Sequence, residues 1–111
     1  MNNSTKSLLK KCGIPPHLLG YEYAGAAIEL IHADRKYLHS VTTSLYPRIA
    51  KKFNTTPSRV ERAIRHAIEV AFTNNISPDN IEEVFGNTIS LEVGKPTNAQ
   101  FLATLADMLD D

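Results

Sequence analysis

The chain has 111 residues with 12 basic and 12 acidic side chains, one cysteine and no tryptophan, enough for one modest domain with a single core. No apolar run approaches the length of a membrane span, and the lysine-bearing N-terminal stretch leads into no apolar signal core. A lone Cys12 excludes an intrachain disulfide and argues against a thiolate zinc site, so a cytoplasmic protein without metal or cofactor is expected.

The zero net charge hides a segregation. Residues 35–66 hold eight Lys or Arg against Glu61 alone, and residues 67–111 hold eight acids against Lys95 alone. A basic middle is placed to meet phosphate, while the acidic remainder favours solubility.

In chain order, residues 1–13 are polar and Lys-rich and read as a tail or linker, with 14–111 as the domain. Ile14-Pro15-Pro16 predicts a rigid extended approach, because proline disfavours helix at the residue before it. Over 21–34, Tyr23, Ala24, Ala27, Ile28, Leu30 and Ile31 make an apolar stripe at helical spacing. Turns follow through Leu38 and Val41. The next helix is expected from Ser44 as its cap, with Pro47 in the first turn and Leu45, Ile49, Ala50 and Phe53 inward. Asn54-Thr55-Thr56 breaks it. Thr56-Pro57 then starts a helix that runs to about residue 73, a capping hydroxyl followed by proline at the first helical position.

Ser77-Pro78 repeats that start for a shorter helix carrying Ile81, Val84 and Phe85 and ending at Gly86. Residues 87–98 read as a loop, with a brief extended piece at 88–93. Thr97 and Gln100 form a capping box before a terminal amphipathic helix with Phe101, Leu102, Leu105, Met108 and Leu109. The fold class is all-α, one compact domain of about five or six helices containing a helix-turn-helix over 45–72.

The helix predicted from Pro57 carries the chemistry. At about 100° per residue, Val60, Ala63, Ile64, Ala67, Ile68 and Ala71 gather on one side. Opposite them stand Ser58, Arg62, Arg65 and Glu69, flanked by Arg59 and His66 on one side and Glu61 on the other. An α-helix fits the major groove of B-DNA, where an Arg guanidinium donates to guanine O6 and N7 together, a pair that discriminates by about 1–3 kcal/mol. Arg62 and Arg65 are the candidate base readers. Glu61 either accepts from a cytosine amino group or orients Arg65 across one turn. Ser58 at the helix start, with Arg59, His66, Lys51 and Lys52, is placed for the DNA backbone.

Two other readings compete. His17, His32, His39, His66 and Cys12 would have to supply any metal or hydrolytic site, yet no acidic partner stands at ligand spacing and no HExxH pattern occurs. Alternatively the basic face docks an acidic protein, which predicts DNA binding indifferent to sequence. RNA fits poorly: its A-form major groove is too narrow for a helix, and no stacking aromatics interleave the basic residues.

The strings AKKFNTTPSRVERAIRHAIEVAF, GIPPHLLGY and GKPTNAQF resemble the effector domain of the master sporulation response regulator family (stage 0 sporulation protein A) over about 13–109. That resemblance implies a phosphorylation-controlled transcription factor, activator and repressor, that binds a TGTCGAA-like box, often as tandem dimers. It assigns base reading to Arg62 and Arg65 beside Glu61, with Ser58 and His66 at the backbone. It also implies an RNA polymerase sigma-factor surface over 75–88, including Asn80, Glu82 and Phe85. The 74–83 segment is one residue longer than the family pattern, with Glu82-Glu83 where small polar residues are expected. The family's receiver domain is expected to lie outside this chain.

Overall fold

The computed structural model describes residues 1–86 and 94–109, and among these every regular element is helical. Six α-helices follow one another: α1 (Asn3–Lys11), α2 (Leu19–Ala33), α3 (Tyr46–Lys52), α4 (Pro57–Val70), α5 (Pro78–Phe85) and α6 (Asn98–Met108). A 3-10 turn (Arg35–His39) and a π-helical turn (Val41–Leu45) join α2 to α3, and a second π turn (Ala71–Asn75) prolongs α4. The extended piece expected at 88–93 lies outside the described residues.

The central element is α2. Tyr23, Ala24, Ala27, Ile28 and Ile31 are all buried, because α2 packs against α3, α4 and α6 as well as α1. Its closest approach is to α4. Gly20 sits so near that an added Cβ would stand 2.2 Å from the Ala63 carbonyl oxygen and 2.7 Å from the Ala67 methyl. The small residues Gly20, Ala63 and Ala67 therefore set the separation of these two helices. The remaining core gathers Leu45, Ile49, Ile64, Ile68, Phe101, Leu102 and Leu105. Phe85 bridges from it, edge-on to Phe72 at 5.5 Å and stacked on Phe101 at 5.9 Å between centroids.

The predicted stops and starts hold where local chemistry decides them. Thr56 and Ser77 each accept a backbone hydrogen bond, from the Arg59 N–H at 3.2 Å and the Asn80 N–H at 3.1 Å. The Thr97–Gln100 box is complete in both directions, at 3.1 and 2.9 Å.

Two expectations are corrected. Residues 3–11, read as part of a tail, form α1, with Leu9 and Cys12 fully buried and Thr5 beneath its first turn. The helix closes on Gly13 at φ +76°, where the Gly13 and Ile14 N–H groups bond back to Lys10 and Leu9. Ser44 does not cap α3: the π turn feeds helical backbone directly into Tyr46, and no side chain caps that end. Past Pro15 the chain enters a turn closed by the Leu18 N–H on the Pro15 carbonyl, 3.2 Å.

Candidate nucleic-acid interface

The pair α3 and α4 is joined by the four residues 53–56. The turn is tight because Asn54 takes a left-handed conformation, φ 54°, and the Thr55 N–H reaches back to the Ala50 carbonyl at 2.9 Å. Asn tolerates that region better than most residues. Thr56 then caps α4, and Pro57 at its first turn has no N–H to leave unsatisfied.

Val60, Ile64, Ala67 and Ile68 are buried on the inner side of α4, against α2, α3 and α6. Ser58, Arg59, Arg62, Arg65 and His66 are exposed, as are Lys51 and Lys52 on α3. The predicted separation of faces is thus what the helix presents. Among the described residues Arg59, Arg62 and His66 have no ion-pair partner and no side-chain hydrogen bond. Arg65 is ion-paired with Glu61 one turn back, which gives Glu61 the orienting geometry. Lys52 lies over the Phe53 ring, 5.5 Å from its centroid.

Sequence reasoning missed the tie beneath this face. Asn98, at the start of α6, donates to the Tyr46 hydroxyl at 3.1 Å and to the Glu61 backbone carbonyl at 3.0 Å. One amide therefore pins α3, α4 and α6 at the base of the Arg65–Glu61 pair. Burial, despite the hydrogen bond from Asn98, pushes the Tyr46 phenol above its ordinary value of 10.0, so it remains a neutral partner at physiological pH. Lys95, just before α6, pairs with Glu69 at 3.3 Å and closes the cleft on that flank of α4.

The residues expected to form a protein-binding surface are split. Glu82 is exposed on α5, and Asn80 is half-buried, its amide donating to the Lys11 carbonyl at 3.0 Å. Phe85 is only 2% exposed, so its ring supports the surface from below and is no part of it. The histidines do not converge either: His32 Nδ1 lies 3.2 Å from the Ala106 carbonyl, and His66 stands on α4. Among the described residues no three His, Cys, Asp or Glu are grouped to hold a metal ion. Burial pushes the Cys12 thiol up to about 12, which leaves it protonated and inert.

A short helix, a four-residue turn and a second helix with a buried apolar face and an outward arginine line define a helix-turn-helix DNA-binding domain. Residues 5–109 match the family described as "Sporulation initiation factor Spo0A C terminal", and the chain belongs to it. It is accordingly a DNA-binding domain of the sporulation transcription factor class, a regulatory family rather than an enzyme family. The match begins inside α1, in keeping with that helix being part of the domain. Among the described residues no helix is long and apolar enough to cross a membrane.

Proposed function

We propose that α4 enters the major groove of a TGTCGAA-like box and reads it through Arg62 and Arg65. The observation that carries this reading is the exposed Arg62, without a side-chain partner among the described residues, at the centre of a helix whose opposite face is locked into the core. Arg65, held by Glu61, meets a neighbouring base pair from the same face. Ser58, Arg59, His66, Lys51 and Lys52 contact phosphates and supply the salt-dependent share of the affinity.

Glu82 and the supporting Asn80 belong to an acidic α5 surface that fits a basic patch on an RNA polymerase sigma factor. Two copies bind tandem boxes as a dimer, in the cytoplasm, where the chromosome is accessible.

The test is fluorescence anisotropy with a duplex carrying the box and a scrambled duplex, at near-physiological salt. Preference for the box by about a thousand-fold or more is the expected result, the lower end of the usual range for specific over non-specific binding. Equal, weak binding to both duplexes would contradict the reading and turn attention to an acidic protein partner for the same face.

A further inference from the structure

Leu19 is 68% exposed, the most exposed large apolar side chain among the described residues. It stands at the start of α2, and the contact of Gly20 with Ala63 presses this turn against the flank of α4. Between them runs a groove of about 670 Å³, with His17, Leu18 and Leu19 on one wall and Arg59, Arg62 and His66 on the other. Among the described residues no carboxylate lines it. The opposite flank of α4 differs: there Arg65 is neutralised by Glu61, and Lys95 by Glu69. Among the described residues, the cations of α4 that lack an acidic partner, Arg59 and Arg62, therefore stand on its α2 side.

An apolar wall facing a cationic one is the chemical complement of a nucleic-acid strand, which offers the apolar faces of its sugars and an anionic phosphate chain. A helix lodged in the major groove has such a strand on either side of it. We propose that this groove seats one sugar-phosphate strand of the bound duplex, with Leu19 packing on deoxyribose and His17 on the adjoining phosphate. The proposal rests on α4 lying in the major groove, and it adds the turn before α2 as a second, sequence-indifferent grip.

Leu19→Asp and His17→Ala test it, since both side chains are exposed and neither change removes core. Each variant is titrated against the box duplex and the scrambled duplex, and the box duplex is footprinted with hydroxyl radicals. Leu19→Asp should weaken both duplexes by about ten-fold with their ratio unchanged, as expected of a backbone contact. It should also lose protection of sugars on one strand beside the box. His17→Ala should weaken both about two- to three-fold, and thermal unfolding should match the wild type in both variants. Wild-type affinity and an intact footprint in both variants would overturn the proposal, leaving box recognition untouched and the groove to an acidic protein segment. A wild-type protein without box preference would instead bring down the underlying reading, and the strand seat with it.

Discussion

Helices α4 and α5 begin with the same device and end in opposite roles. Thr56-Pro57 and Ser77-Pro78 place a hydroxyl on the N–H three residues on, and each helix then buries one apolar stripe. Outward, however, α4 presents Arg59, Arg62 and Arg65, whereas α5 presents Asp79, Glu82 and Glu83. Their supports differ as well. α4 is gripped by α2, α3 and α6, while α5 rests on the Phe85 stack and on α1, through Lys11–Glu83 at 2.7 Å and Asn80–Lys11. Backbone chemistry decides where each helix starts. The outward side chains decide whether a phosphate chain is drawn in or repelled.

The contrast can be broken most forcefully at Gly20. A valine there would drive its side chain into the Ala63 carbonyl and force α2 away from α4. Gly20→Val should cost about 3 kcal/mol in urea unfolding, at the upper end of overpacking changes, and should weaken DNA binding by displacing α4. Wild-type stability would mean that the two helices are not held at this contact.

A subtler comparison uses the matched caps. Thr56→Ala and Ser77→Ala should each lose about 1 kcal/mol of stability. Only Thr56→Ala should also reduce affinity for the box, because the proposed reading sets α4, and not α5, against DNA. Equal losses of affinity would erase the division of labour between the helices.

The smallest effect concerns α1, which buttresses α5 rather than α4. Burial pulls the Glu29 carboxyl upward, but the Asn2 N–H at 2.8 Å and the Thr5 hydroxyl at 2.7 Å outweigh it and hold it below its ordinary value of 4.5. A depressed carboxylate stabilises the fold above the unfolded-state value and loses that contribution as pH falls through the folded-state value. Amide protection in α1, followed by α5, should therefore fall, relative to intrinsic exchange at each pH, below about pH 4.5 before α4 responds. Glu29→Gln should flatten this dependence. An acid response that begins in α4 would contradict the assignment.

How much was legible in advance follows the range of the interactions. The starts of α4, α5 and α6 depend on bonds spanning three residues, so Thr56, Ser77 and Thr97 announce them. The face of α4 was legible because its apolar and basic residues keep strict helical spacing. By contrast α1 is anchored by Leu9, Cys12 and a carboxylate 24 residues from Thr5, too little apolar periodicity to stand out among lysines and asparagines. Asn98 was invisible for the same reason: its partners lie 52 and 37 residues away. Phe85 shows the converse error. A position tied to a binding segment by resemblance is here a core ring, and only packing could reveal that.

The most direct test of the central claim is Arg62→Ala against a panel of duplexes in which each base pair of the box is replaced singly. The wild type should discriminate at one G·C pair by about 1–3 kcal/mol, and Arg62→Ala should lose that discrimination there while keeping it elsewhere. Uniform weakening across the whole panel would make Arg62 a backbone contact and contradict base reading by α4.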